Sequence, residues 1–176
     1  SLERRSKPEF KQLLINMGGV DIDNVTEKVL DELKICNLPN DLKITVVMGG
    51  AAPHLESVKS KAITLPYKTE VQVDVGNMAE IMANSDISIG AAGSTTWERC
   101  CLGLPTIQIV LAKNQITIAK SLSGLGAIKF LQSIKGVSRV IKNPRNWMLN
   151  VSNIARHVSD GLGVKRVSGV LMNKKF

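Results

Sequence analysis

Short apolar runs alternate with amphipathic segments over most of the sequence, and this alternation restricts the possible folds more than any other feature. The apolar runs have the length of strands and lie at residues 13–17, 44–48, 70–73, 87–89, 106–111 and 127–131. After the first run, Val25, Val29 and Leu33 recur at the spacing of one helix face, with charged residues between them. Strands that alternate with helices predict a Rossmann-like open parallel sheet with helices on both faces, an α/β fold.

Towards the carboxyl end the pattern becomes helical. Pro144 is suited to the first turn of a helix, and a last helix is predicted over residues 164–172. No linker or low-complexity tract interrupts the chain. We therefore expect a single domain over residues 1–176, with a junction at residues 1–10 and C-terminal helices at residues 144–176.

Composition is that of an ordinary folded domain, with 44% apolar residues in a chain of 176. The three cysteines, Cys36, Cys100 and Cys101, form neither an even set nor a CxxC pair, which indicates a reducing, cytoplasmic location. No apolar run approaches the roughly 20 residues of a transmembrane helix. The charged first residues are followed by no apolar segment typical of a signal peptide. We therefore expect no membrane span.

Positive charge is concentrated in the last third of the chain. Residues 129–176 contain ten Lys and Arg and one acid, Asp160, in a chain of net charge +8. Helical spacing of these residues and an aromatic content of only 3% argue against nucleic acid as a partner. Two interpretations remain, a solvated helix face or a surface that contacts an acidic partner domain. Even exposure of the basic side chains would exclude the second.

Glycines follow several of the predicted strands. Gly18-Gly19 comes directly after the first strand, and Gly49-Gly50 comes after the second. Glycine lets the backbone approach a ligand closely and tolerates positive φ. The same pairs also suit tight turns between strand and helix that bind nothing.

Hydroxyl side chains join a glycine after the fourth strand. Gly93-Ser94-Thr95-Thr96 precedes a predicted helix, so free backbone N–H groups lie where anionic oxygens bind helix starts. Helix capping is the alternative, since Ser94 is an N-cap candidate and Thr95 and Glu98 have capping-box spacing. Ligands of open α/β sheets bind at the carboxyl ends of strands, so these turns form the candidate site.

Several other kinds of site are disfavoured by the sequence. The GxGxxG and GxxxxGK[ST] fingerprints are absent, and no cluster has the spacing of metal ligands. His54, at a helix start, and His157, on a basic helix, are interpreted as surface or structural residues. Cys100 and Cys101 lie within a predicted helix, where packing is favoured over nucleophilic chemistry.

Three segments of the sequence resemble a known family. The first is the run from Val75 to Glu98, which ends in Gly93-Ser94-Thr95-Thr96-Trp97-Glu98. The others are residues 101–105 and Asn114-Gln115. This sequence resembles the C-terminal half of the UDP-2,4-diacetamido-2,4,6-trideoxy-β-L-altropyranose hydrolases over about residues 8–131. Those enzymes act in pseudaminic acid biosynthesis and share the GT-B architecture. The resemblance therefore implies the C-terminal, UDP-binding half of a GT-B protein.

The resemblance also implies a set of ligand-binding positions on this chain. These are Gly18, Gly19, Gly93, Ser94 and Thr95 at the diphosphate, Glu98 at the ribose, Val75, Asn77 and Met78 at the uracil, and Asn114 and Gln115 at the sugar. Two positions depart from the family, which usually has Ser in place of Val20 and Gly in place of Ala92. No cofactor and no metal are expected.

The catalytic histidine of that family belongs to its N-terminal domain, so the resemblance places no catalytic residue on this chain. We expect a UDP-sugar-binding domain of a nucleotide-sugar hydrolase in pseudaminic or related sialic-like acid biosynthesis. This chain is expected to bind UDP or a UDP-sugar, to pair with the missing N-terminal domain, and not to hydrolyse a UDP-sugar alone. The alternatives are the donor-binding domain of a GT-B glycosyltransferase and a non-catalytic binding module.

Overall fold

Strands form where large apolar and β-branched residues are concentrated, because such side chains pack well on a pleated surface. The computed structural model describes residues 2–7 and 9–173. Its strands are β1 (Gln12–Asn16), β2 (Lys43–Met48), β3 (Lys68–Val73), β4 (Ile87–Ala91), β5 (Thr106–Ile109) and β6 (Lys129–Leu131). Each apolar run identified in the sequence overlaps one of these strands.

Amphipathic segments between the strands form helices that bury one face. In α2 (Val25–Lys34), the predicted face of Val25, Val29 and Leu33 is buried. The other helices are α1 (Leu2–Arg5), α3 (Leu55–Ile63), α4 (Met78–Asn84), α5 (Thr95–Cys101), α6 (Ile116–Gly124), α7 (Val137–Ile141), α8 (Arg145–Val158) and α9 (Gly163–Asn173). Short 3-10 turns occupy Lys113–Gln115 and Ile134–Gly136.

All neighbouring strands of the described sheet are parallel, in the order β3-β2-β1-β4-β5-β6. The chain builds outwards from β1 in one direction, then returns to place β4 on the other side of β1. Asn16, the last residue of β1, pairs with Gly90 of β4. The turns that follow these two strands therefore lie side by side, at the position where open α/β sheets bind ligands.

Alternate residues of the strands supply the two sides of the core. Leu13 and Ile15 of β1 point into the larger cluster, together with the buried faces of α2 and α7. Leu14 faces the opposite side with Met82 of α4, and a further cluster around Cys100 joins α5 to α6 and α8. Both faces of the sheet are covered, as expected for parallel strands.

The N-terminal region contains residues that pack on the sheet domain. The Arg5 guanidinium donates hydrogen bonds to the carbonyls of Met82, Ser85 and Leu102, and Phe10 lies in the core. Ser1, Pro8 and residues 174–176 lie outside the described residues. Along the described chain, no helix combines the length and the apolar character that crossing a bilayer requires.

Seven of the eight described basic residues of the last third are exposed. Lys135, Arg139, Lys142, Arg145, Arg156, Lys165 and Arg166 are exposed, and Lys129 is half-buried with its ammonium 5.9 Å from the centre of the Trp147 ring. Lys174 and Lys175 lie outside the described residues. The hypothesis of an acidic partner domain fails on this exposure, and a solvated helix face explains the charge.

Candidate functional site

A cleft of about 390 Å³ opens at the carboxyl edge of the sheet, between the turns that follow β1 and β4. Its size suits a small organic ligand. The lining residues come from four strand ends and the turns after them: Asn16, Gly18, Gly19, Val47, Met48, Gly49, Asp74, Val75, Met78, Ala91, Gly93, Ser94 and Thr95. A second groove, of about 470 Å³, lies between α2 and the segment after β6 and contains none of the predicted site residues.

Glycines hold the first three strand ends together. The Gly49 N–H donates a hydrogen bond of 3.0 Å to the Gly19 carbonyl, and a Cβ atom at Gly49 would lie only 2.4 Å from that oxygen. The Gly50 N–H donates to the Asp74 carboxylate at 2.8 Å, and a Cβ at Gly50 would again meet that carboxylate at 2.4 Å. Gly49 and Gly50 therefore allow close contacts between the loops that follow β1, β2 and β3.

The first glycine pair and Gly93 leave open space on the cleft side. Gly18 has a φ of 96°, and a Cβ at Gly18, Gly19 or Gly93 would meet no atom within 4 Å. A side chain at Gly19 or Gly93 would therefore not clash with other residues of the protein. Because these glycines have no side chain, their backbone is accessible from the cleft. The sequence analysis predicts this accessibility, which would let a ligand approach closely.

The turn after β4 presents backbone donors to the cleft. Within the described chain, the N–H groups of Ser94 and Thr95 have no acceptor, whereas the next N–H, of Thr96, donates to the Gly93 carbonyl at 3.0 Å. Two adjacent donors without acceptors can bind anionic oxygen. These donors matter more than the macrodipole of α5, which is only seven residues long.

Ser94 stands at the N-cap position of α5, but the side-chain capping that was the alternative at this turn does not form. The Ser94 side chain makes no cap hydrogen bond, and the Thr95 hydroxyl accepts a hydrogen bond of 2.8 Å from Nη2 of Arg99 instead. Glu98 is exposed and makes no capping contact among the described residues. The buried guanidinium one turn further along α5 outcompetes the backbone for the Thr95 hydroxyl because its charge strengthens the hydrogen bond.

Arg99 is a site residue that the sequence reasoning missed. Its side chain is buried, and Nη2 also donates to the Ala91 carbonyl at 2.8 Å, so it joins both ends of the turn. Burial lowers the pKa of Arg99 to about 10, which leaves the guanidinium protonated at neutral pH. The sequence spacing could have identified Arg99. It follows Thr95 by four residues and Thr96 by three, so all three lie on the face of α5 that contacts the sheet.

The sequence analysis also missed two polar residues that line the cleft, Asn16 and Asp74. The Asn16 amide, at the end of β1, donates a hydrogen bond of 3.0 Å to the Val47 carbonyl of β2. Asp74, with a φ of 49°, follows β3 and holds Gly50 through the same carboxylate that lines the cleft. Polar residues at strand ends were the signal available in the sequence for both.

Seven of the eleven predicted ligand positions line the cleft, namely Gly18, Gly19, Val75, Met78, Gly93, Ser94 and Thr95. The other four do not. The Asn77 amide donates to Glu80 at 3.2 Å, and Glu98 is exposed one turn into α5. Asn114 is exposed in a 3-10 turn, and the Gln115 side chain accepts the Leu111 N–H at 3.0 Å. Local hydrogen bonds thus hold the side chains of Asn77 and Gln115 away from the lining.

Neither histidine lines the cleft, and Cys100 does not either. His54 Nε2 is hydrogen-bonded to the Ile22 carbonyl at 3.0 Å, and His157 is exposed on α8. Burial raises the pKa of the Cys100 thiol to about 11, so the thiol is neutral and packs between helices. Among the described residues, no group of three or more His, Cys, Asp or Glu is placed to hold a metal ion.

Comparison with known proteins extends over most of the chain. It is 28% identical over 177 residues to the spore coat polysaccharide biosynthesis protein SpsG of Bacillus subtilis, covering 95% of this chain and 51% of that protein. It is 31% identical over 110 residues to a Helicobacter pylori UDP-N-acetylglucosamine--N-acetylmuramyl-(pentapeptide) pyrophosphoryl-undecaprenol N-acetylglucosamine transferase, covering 60% of this chain and 30% of that protein. The chain thus spans about half or less of the curated relatives it matches.

A solved structure shares the fold, and a family model matches most of the sequence. The crystal structure of Acinetobacter baumannii MurG superposes with a TM-score of 0.81 at 19% identity, over 97% of this chain and 52% of that one, which shows a shared fold. The sequence model of the glycosyltransferase family 28 C-terminal domain matches residues 13–157. The protein therefore belongs to the glycosyltransferase family 28 C-terminal domain family.

Proposed function

We propose that the protein binds a uridine diphosphate sugar in the cleft between β1 and β4 and serves as the donor-binding domain of a glycosyltransferase. One observation carries the proposal: at the switch point of the sheet, Ser94 and Thr95, whose N–H groups have no acceptor among the described residues, line a cleft of about 390 Å³ together with the Gly18-Gly19 turn. Such donors suit the oxygens of a diphosphate. The H. pylori relative, whose name specifies UDP-N-acetylglucosamine, supports a uridine nucleotide.

The lining residues divide into two chemical groups under this proposal. Gly93, Ser94 and Thr95 receive the diphosphate from one side, and Gly18 and Gly19 approach it from the other. The apolar side chains of Val75 and Met78 stack against the uracil beyond β3. Glu98 accepts hydrogen bonds from the ribose hydroxyls once the ligand extends beyond the cleft, and Asn114 meets the sugar, whereas the Gln115 side chain is held by the Leu111 N–H.

Hydrolysis of the nucleotide sugar is the second candidate, and the resemblance over Val75 to Glu98 favours it. Both reactions break the bond between the anomeric carbon and the diphosphate oxygen and release UDP. They differ in whether water or a hydroxyl of an acceptor attacks the anomeric carbon. The donor site of this chain serves either reaction, because its donors stabilise the negative charge of the departing UDP.

Calorimetric titration of the purified protein with UDP, ADP, NAD and duplex DNA tests the proposal. We expect heat of binding with UDP, and weaker or no binding of the other three. Gly93→Val is the informative variant, because its side chain enters open space beside the cleft without meeting protein atoms. Gly76→Val is the matched control, since Gly76 also has open space around it and lies outside the lining.

Loss of UDP binding in Gly93→Val, with binding retained in Gly76→Val and equal thermal unfolding of both variants, supports the cleft as the site. Binding of UDP that survives Gly93→Val unchanged would contradict the location. Binding of DNA without UDP would contradict the function and favour a non-catalytic binding module.

A further inference from the structure

The turn after β4 is held by a buried positive charge, the Arg99 guanidinium. The Arg99 side chain is 2% exposed, and no carboxylate forms an ion pair with it among the described residues. Its Nη1 atom is buried and has no hydrogen-bond partner in the same part of the chain. The oxygens that accept from its other nitrogens, at Ala91 and Thr95, carry no net charge, so an anion placed nearby would stabilise the buried cation.

The backbone of β4 leaves space for this guanidinium. A Cβ at Gly90 would lie 1.9 Å from Nη1 of Arg99 and 3.0 Å from the Asn16 carbonyl, so only glycine fits there. Gly90 pairs with Asn16, which lines the cleft. The charge thus lies directly behind the cleft wall at the junction of β1 and β4.

Arg99 is joined to the cleft lining by the turn after β4, in which the Ser94 and Thr95 N–H groups have no acceptor among the described residues. Its Nη2 binds the Ala91 carbonyl and the Thr95 hydroxyl, each at 2.8 Å, and both residues line the cleft. The polar residues of the same buried layer, Ser88, Thr96 and Gln108, are neutral and cannot offset the charge. The neighbouring Glu98 carboxylate favours the charged guanidinium, but it is exposed and forms no ion pair with Arg99 among the described residues. These residues therefore place no buried counterion behind the wall, and the open side of the wall is the cleft.

We infer that Arg99 is a positioning residue whose buried charge takes the ligand's diphosphate as its counterion across the Gly93 to Thr95 turn. The inference rests on the proposed function and adds to it a residue that selects for the charge of the ligand without touching it. The guanidinium fixes the turn and makes it electropositive. Its charge acts through a medium of low dielectric constant, where it is weakly screened.

The test compares UDP with uridine, which has the same base and ribose but no phosphate. The dissociation constants of both ligands are measured for the unchanged protein, Arg99→Met and Arg99→Lys by amide chemical shift titration. In Arg99→Met we expect UDP binding to weaken about tenfold or more and uridine binding to change less than about threefold. Arg99→Lys keeps the charge and is expected to recover part of the preference for UDP.

A merely structural role predicts a different pattern, because a distorted turn weakens both ligands alike and leaves their ratio unchanged. Equal loss for UDP and uridine in Arg99→Met would overturn the inference while leaving the proposed function intact. Absence of UDP binding by the unchanged protein would overturn the proposed function, and this inference with it.

If Arg99→Met does not fold, the guanidinium ¹⁵N resonances of Arg99 in the unchanged protein provide the measurement. A counterion predicts that UDP shifts these resonances and that uridine, at equal saturation, does not. Equal shifts with both ligands would overturn the inference.

Discussion

At the scale of single residues, the cleft depends on where side chains are missing. Gly49 and Gly50 let the ends of β1, β2 and β3 contact one another, and Gly90 makes room for the Arg99 guanidinium. These glycines differ from Gly19 and Gly93, which have open space around them. Substitutions at the two kinds of glycine therefore have different consequences, the first for folding and the second for binding.

Gly49→Ala is expected to lower the free energy of unfolding by about 1–3 kcal/mol, because the new Cβ would lie 2.4 Å from the Gly19 carbonyl and one of the two turns must shift. Urea denaturation measures the change. Gly76→Ala is the control and is expected to stay near the unchanged protein, since no atom lies within 4 Å of its Cβ position. Equal stability of the two variants would contradict the contact between the turns.

The three thiols are expected to differ in reactivity at pH 8. Burial raises the pKa of Cys100 to about 11 and also raises the pKa of Cys36, so both are protonated and covered in the folded chain. Cys101 is only half-buried. We expect one thiol to react with a disulfide reagent at least about 100-fold faster than the other two, and all three to react alike after denaturation.

A Cys101→Ala variant assigns that fast phase. The phase is expected to disappear in this variant, and the remaining thiols should react only as fast as the protein opens. A fast phase that persists in Cys101→Ala would show that Cys100 or Cys36 is accessible, contrary to their burial.

At the scale of elements, α2 shows how a local pattern becomes a packed layer. Leu30 and Leu33 are fully buried against the sheet, while Ile35 at the end of the helix is 75% exposed. The apolar spacing read from the sequence therefore identified the correct face. Burial of that face, and not intrinsic helix propensity, stabilises a helix of this length.

Leu30→Ala is expected to lower the free energy of unfolding by about 2–5 kcal/mol, because the lost methyl groups leave a cavity in the main core. Ile35→Ala removes a side chain of similar size from the surface, and we expect it to change the free energy of unfolding by less than about 0.5 kcal/mol. Urea denaturation of both variants is the measurement. Similar losses in the two variants would show that α2 packs in another orientation.

Elements were predictable because strand length, helical spacing and turn residues are local properties of the sequence. The same holds for Gly18, Gly93 and Ser94, which follow strands directly. Asp74 and Arg99 were not identified, since their roles depend on contacts between strand ends and between helix and sheet. Gln115 was assigned to the sugar, but its side chain binds the Leu111 N–H, a local alternative that residue type alone does not reveal.

At the scale of the whole molecule, charge and cleft are separate features. The net charge of +8 comes mainly from the last third of the chain, where the described basic side chains are dispersed and mostly exposed. The candidate cleft contains no exposed Lys or Arg, and its proposed selectivity comes from backbone donors and a buried guanidinium. Surface charge is therefore not expected to decide what the protein binds.

Retention on duplex DNA is expected to be weak and to disappear at about 0.15 M salt, because dispersed charges make few simultaneous phosphate contacts. Elution from immobilised DNA over a salt gradient measures this, with UDP binding followed under the same conditions. Retention at high salt together with loss of UDP binding would contradict the assignment of the cleft.

The central claim is that the turns after β1 and β4 bind a uridine diphosphate, and amide chemical shift mapping with UDP tests it most directly. We expect the largest changes at the N–H groups of Gly18, Gly19, Ser94 and Thr95, with smaller ones at Val75 and Met78. The groove between α2 and the segment after β6 should remain unperturbed. Changes confined to that groove, or none at saturating UDP, would contradict the claim.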